Sequence, residues 1–176
     1  MSITKQKQHG FSMVEVLIAA FVLAVGLLGL ASLQVQGLQF NFSAYQRSQA
    51  NILAYDILDR MRANPTQVMA SSYNQGLGVG PTTNTDCQAA GANCTSADMA
   101  AFDITQWECS LGNWNDNATC QNFGIEGPLA QGDGSVVVNI VGGRAQVTIS
   151  VTWLDNRTLD DADPNRTETF TVSSVL

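Results

Sequence analysis

Few side chains in this sequence could do chemistry, and the ones that could are unevenly placed. The only histidine, His9, lies at the start of the 176-residue chain, and four cysteines, Cys87, Cys94, Cys109 and Cys120, fall in its middle. The most unusual position is Glu15. It opens an apolar run, Val16 to Leu33, whose eighteen residues carry no charge and only one hydroxyl, Ser32. Such a run is long enough to cross a bilayer as a helix. A carboxylate in hydrocarbon costs roughly 2.5–3.5 kcal/mol on the insertion scale, so an acid at the mouth of that helix needs a specific partner. Lys5 and Lys7 precede it and give the run a basic flank.

The hexad Gly10-Phe11-Ser12-Met13-Val14-Glu15, with the apolar run behind it, resembles the type III signal of the type IV pilin superfamily. The resemblance implies that a membrane prepilin peptidase cuts after Gly10 and N-methylates the new terminal residue, Phe11. It also implies that Glu15 pairs with the N-terminal amine of a neighbouring subunit during assembly. Phe11 and Glu15 would lie one helical turn apart, about 6 Å along the axis. Helix geometry competes with an amine–carboxylate pair inside one chain, whereas an axially shifted neighbour presents its amine directly. In low dielectric, an ion pair with both charges satisfied is far cheaper than a lone carboxylate. Two other readings stay open. One is an ordinary signal anchor with an acid near the interface. The other is a secretory signal cleaved after Ala31, at the small-x-small triplet Gly29-Leu30-Ala31. Against the second, the helical pattern continues past Ala31 without a break.

That helix is expected to reach well beyond the membrane. No charge occurs between Glu15 and Arg47, and no proline before Pro65. Ala50, Leu53, Ala54, Ile57 and Met61 form one helical stripe. Asp56 and Arg60 sit at i, i+4 on another face. Asn64-Pro65 ends the pattern, because proline disfavours helical geometry in the residue before it. A helix from about Phe11 to Ala63 would be roughly 80 Å long. Gly26, Gly29 and Gly37 interrupt the apolar part; close helix packing and local softening are both open. Residues 1–10 then read as a leader, 11–34 as a transmembrane or filament-core helix, and 35–64 as its amphipathic continuation. Residues 65–134 read as a cysteine-containing variable region and 135–176 as an antiparallel β-meander.

The stretch Asp56 to Asn64, D-x-x-x-R-M-R-A-N, is similar to the PilV group of minor pilins, the type IV pilus modification proteins. So is the later pattern Val147-Thr-Ile-Ser-Val-Thr-Trp153, followed by an acidic loop and a final strand. This resemblance covers residues 10–65 and the C-terminal strands. It implies a protein anchored in the inner membrane by one N-terminal helix, with a periplasmic head, that later joins the pilus near its tip or base. Implied partners are the prepilin peptidase, other minor pilins, the major pilin and a tip adhesin. Implied roles are pilus initiation and assembly, with twitching motility, adhesion and DNA uptake left undivided. The I-type minor pseudopilin of type II secretion shares the layout and is the alternative, with an anchored, exported binding module as a further one.

Four cysteines in an exported chain point to disulfides. Three pairings exist, and Cys87–Cys94 with Cys109–Cys120 closes the shortest loops. Intervals of six, fourteen and ten residues do not match the paired short knuckles of structural zinc sites. The expectation is two staples on a stretch with little core of its own.

The C-terminal part reads as sheet. Ser135 to Val141 is a β-rich run, Gly142-Gly143 is a two-residue hairpin signal, and Arg144 to Leu154 alternates cleanly. Ala145, Val147, Ile149, Val151 and Trp153 should face the helix stripe at Leu53 and Ile57, with Phe170 and Val172 inward on a third strand. The fold class is therefore α+β, pilin-like, with one long helix packed on a small antiparallel sheet and a disulfide-bearing insertion between them.

Other chemistries find less support. Asp155, Asp160, Asp161 and Asp163 cluster before the last strand, but lack the glycine and final glutamate of an EF-hand loop. A solvated acidic turn is the plainer reading. Trp107 and Trp114 could stack on a sugar ring, though burial against the disulfides is favoured. His9 would be lost with the leader, which removes Ser-His, Cys-His and histidine-ligated metal chemistry from the mature chain. No enzymatic activity, metal or cofactor is expected. Losing residues 1–10 takes away two lysines and moves the side-chain charge from −7 to −9, which argues against a nucleic-acid partner.

Overall fold

A computed structural model describes residues 10–155 and 167–176. The order of elements is α1 (Met13–Ala63), α2 (Pro65–Met69), α3 (Ser96–Leu111), α4 (Ala118–Phe123), β1 (Asp133–Val141), β2 (Arg144–Leu154) and β3 (Thr167–Val175). By its internal contacts the chain forms two compact units, one ending at Asn41 and one beginning at Phe42.

In the first unit α1 begins at Met13, two residues later than Phe11. Ser12 stands at the N-cap position, where its carbonyl accepts the amides of Glu15 (3.0 Å) and Val16 (3.3 Å). α1 is long and apolar enough to cross a membrane. At its other end it stops where the Asn64-Pro65 pair stands, and Pro65 starts α2 at the one helical position that tolerates it.

The second unit is built on a three-stranded antiparallel sheet in the order β1-β2-β3. Val136 lies opposite Ile149, and Ile149 opposite Val172. The β1–β2 turn is Gly142-Gly143, with φ of 59° and 77°. A two-residue hairpin that matches strand twist needs positive φ at both positions, which glycine adopts without steric cost. The alternation on β2 is followed by burial: Ala145, Val147, Ile149, Val151 and Trp153 are buried, while Thr148 pairs with Ser173 and Ser150 with Thr171 on the other face. Phe170 and Val172 pack against the core from β3.

One core joins α1, α3 and the sheet. Ala50, Ala54, Ile57 and Met61 are fully buried, Leu58 joins them, and Leu53 is half-buried at the margin. Residues 65–134 contribute to it through α3, which sends Ala100, Ile104, Trp107 and Leu111 into the same cluster as the sheet and α1. Those positions fall on one helical face. Trp107 Nε1 donates to the Leu53 carbonyl of α1 at 2.9 Å, so its indole is anchored as well as buried. Trp107 is thus core rather than a sugar platform, and Trp153 is buried as its register implied.

Several polar groups packed around α3 are paired. Tyr73 donates to Asp103 Oδ2 at 2.8 Å; Arg60 donates to Gln106 at 2.8 Å and to Asp56, the expected i, i+4 partner, at 3.0 Å. Burial first, and then the Asp103 bond, push the Tyr73 hydroxyl well above its ordinary range. Asp155 corrects another expectation. It is buried and accepts the Ser43 hydroxyl of α1 at 2.9 Å, so it is a structural tether and not part of a solvated turn. Asp160, Asp161 and Asp163, and with them the calcium question, lie outside the described residues.

Two disulfides, Cys87–Cys94 and Cys109–Cys120, account for all four cysteines. The second ties α3 to α4 and both its cysteines are fully buried; the first closes a surface loop and is half-buried. Loops this short are worth about 2–3 kcal/mol each in the chain-entropy picture. Thiol–disulfide exchange needs access to a sulfur. Mild dithiothreitol is therefore expected to open Cys87–Cys94 at least about tenfold faster than Cys109–Cys120. Peptide mapping after timed alkylation checks this, and equal rates would contradict the burial difference.

Candidate processing and assembly site

The hexad is brought together simply because it is continuous in sequence. Gly10, Phe11 and Ser12 precede the helix, and Gly10 and Phe11 are exposed, as a peptidase requires. Phe11 is 84% exposed. Glu15 is the third residue of α1 and the only acid in its first turn. At that position it faces the unsatisfied amides of the helix start, which favour a negative charge. Among the described residues no cation bonds to it. With residues 1–10 attached, the Phe11 nitrogen is a peptide amide without charge. Only cleavage after Gly10 would create the ammonium that a carboxylate could pair with.

Every residue from Gly10 to Leu38, the acid included, is exposed within this chain. A soluble monomer does not leave an apolar surface of that extent uncovered. Gly26, Gly29 and Gly37 have nothing within 4 Å beyond their own helix, so their small size serves no packing inside the chain. Cover for this helix must come from lipid or from other subunits, where small residues permit close approach.

Sequence reasoning missed five buried polar residues of the second unit: Ser43, Gln46, Asp103, Thr105 and Glu108. Gln46 and Ser43 are three residues apart and share the buried face of α1, one turn before the apolar stripe begins; the stripe was read from Ala50 because its earlier members are polar. Glu108 sits between Trp107 and Cys109, and that burial on both sides was its one signal.

Two family models match the chain. The prokaryotic N-terminal methylation motif matches residues 5–31, which contain the hexad and most of the apolar run. The type IV pilin Tt1218 family matches residues 32–105, from the apolar run through α1 and α2 into α3. No curated protein and no solved structure matches. The methylation motif implies processing by a prepilin peptidase, anchoring through the apolar helix and assembly with other pilins, and pilins are structural proteins. Together the two matches, adjoining along the sequence, support a pilus-related pilin of the type IV pilin superfamily.

Proposed function

We propose that this chain is a minor pilin of the PilV type that helps to initiate type IV pili in a priming or tip complex with other minor pilins. The observation that carries this reading is the uncovered apolar helix with a single acid, Glu15, in its first turn, directly behind a glycine–phenylalanine junction. The order of events follows from charge. Before cleavage Phe11 offers no ammonium, because its nitrogen is a peptide amide. After cleavage and methylation, Phe11 bears a secondary ammonium, still a cation, and Glu15 of an adjoining subunit can neutralise it as the helix leaves the membrane. The pair draws the apolar helices into register, and the second unit, with its disulfide-braced α3 region, supplies the contacts that choose neighbours.

The test is the intact mass and N-terminal sequence of the protein from membranes of its host, followed by its abundance in sheared pili. A start at N-methylated Phe11 is expected, and a start at Ser32 or an intact Met1 would defeat the reading. Glu15→Ala should be processed normally yet enter pili at least about tenfold less, the factor that ~1.4 kcal/mol supplies. Unchanged incorporation would remove the ion pair. Loss of pili in a deletion strain, restored by the wild-type chain, distinguishes an initiating role from a passive one.

A further inference from the structure

Glu108 is an acid for which neither processing nor assembly has a use. It lies on α3 and is wholly buried. Its Oε2 accepts the indole N–H of Trp114 at 3.2 Å, and its Oε1 has no hydrogen-bond partner. A second carboxylate, Asp133 at the start of β1, acts on it electrostatically. Asp133 is itself held by two amides, Gly78 N at 2.7 Å and Gly134 N at 2.8 Å.

Gly78 belongs to a short segment, Gln75 to Gly80, laid along the outer edge of β1. Gln75 exchanges both backbone hydrogen bonds with Val136 at 2.9 Å, and its side chain donates to the Val79 carbonyl at 2.6 Å. At the far end, Gly80 lies against the face of the Trp114 ring, where a Cβ would come within 3.1–3.2 Å of three ring carbons. The segment therefore bonds to one carboxylate through Gly78 and presses on the donor of the other through Gly80.

We propose that Gln75–Gly80 is a pH-sensitive strap, closed over the Glu108–Asp133 pair while Glu108 keeps its proton and released when that proton is lost. Burial, and then the Asp133 charge, push the Glu108 carboxyl up to about 8, with Trp114 and Gln75 pulling the other way less strongly. Near neutral pH the buried group is therefore mostly uncharged, and the single indole bond suffices. Above that value a second negative charge appears beside Asp133 with one oxygen unpaired. A buried, unpaired charge is the costliest state available to such a group.

Water must then reach Oε1, and the movable cover is the strap and Trp114. The other neighbours cannot yield: Trp107 is locked in the core and Cys109 is in a buried disulfide. No other titratable group can take over the role. The strap holds only Gln, Gly, Leu and Val; β1 offers Asp133 alone; Asp116, beyond Trp114, is exposed; Asp103, on α3, is engaged with Tyr73 and Arg60. The closed strap fixes Leu77 and Val79, both exposed, on the surface, so its state sets whether this apolar pair is presented rigidly to a neighbour.

Hydrogen exchange of the full chain in detergent micelles, corrected for intrinsic rates, tests the strap between pH 6.5 and 9.5. The Gly78 amide of the wild-type chain is expected to lose at least about tenfold of its protection, with a midpoint near the Glu108 value, while Glu108→Gln stays protected throughout. Equal wild-type protection at both ends would overturn the proposal, and so would parallel loss in Glu108→Gln. Asp133→Asn serves as a second variant; its one carbonyl oxygen can accept only one of the two amides, so the strap is read there at the Gln75 amide, which bonds to Val136 and not to residue 133. Release at a lower pH than wild type is expected there, because losing the Asp133 charge removes one of the two causes that raise the Glu108 carboxyl. An unchanged midpoint in Asp133→Asn contradicts the pairing.

Discussion

Gly134→Ala is expected to destabilise the second unit by about 3 kcal/mol, the upper end of what overpacking a core costs. The reason is local and rigid. A Cβ on Gly134 would stand 2.3 Å from Trp107 Cη2, 2.8 Å from Trp107 Cζ3 and 2.7 Å from Leu111 Cδ1. The indole cannot swing aside, because its Nε1 is bonded to the Leu53 carbonyl at 2.9 Å. Leu111 is fully buried in the same cluster. Relief has to come from β1 moving off α3, which opens the middle of the core. At about 2–4 °C per kcal/mol for a unit of this size, the midpoint should fall by roughly 6–12 °C. Gly26→Ala is the control. It also adds one methyl group to a glycine, but with nothing within 4 Å, and should leave thermal unfolding of the second unit unchanged. Near-UV circular dichroism of the tryptophans gives the readout. A loss below about 1 kcal/mol in Gly134→Ala would show that Trp107 is not held as its hydrogen bond implies.

How much of this was legible depended on how local the cause was. The hexad could be read because its chemistry is linear: a glycine, a new terminus and an acid at fixed spacing. The β2 strand could be read because a period of two is hard to mistake, and the Gly142-Gly143 turn because positive φ at two adjacent positions nearly demands glycine. The stripe from Ala50 to Met61 was equally plain. α3 was not read, although Thr95 and Asp98 form a capping box in which each side chain bonds to the other's backbone amide. Its periodicity is masked by two cysteines and a surrounding composition of Gly, Asn and Thr. The role of Asp155 was hidden for a different reason. Its partner, Ser43, is 112 residues away, and only the packing of β2 against α1 brings them together. The partner proposed for Glu15 is hidden more deeply still, since a contact between two chains would leave no trace within one.

Gly10→Trp is expected to abolish maturation altogether. Gly10 and Phe11 are exposed and precede the first turn of α1, so the chain itself does not block access to the bond. What remains is fit at the scissile bond. Glycine lets backbone approach closely, and an indole at the same position removes that approach at the residue whose carbonyl must be attacked. The consequences then follow in order. Without cleavage, the Phe11 nitrogen stays a neutral amide that cannot be methylated or charged. Without that charge, Glu15 of a neighbour has nothing to pair with, and the helix keeps its basic leader, with Lys5 and Lys7, on the membrane surface. The precursor should accumulate in membranes with its ten leader residues retained, and none should appear in sheared pili. Intact mass separates this from a folding defect, because the second unit of the variant should keep its wild-type unfolding midpoint. A mature species starting at N-methylated Phe11 in Gly10→Trp would mean that the glycine does not direct the cut. It would leave the apolar helix as an anchor alone, with Glu15 reduced to an acid that favours a helix start.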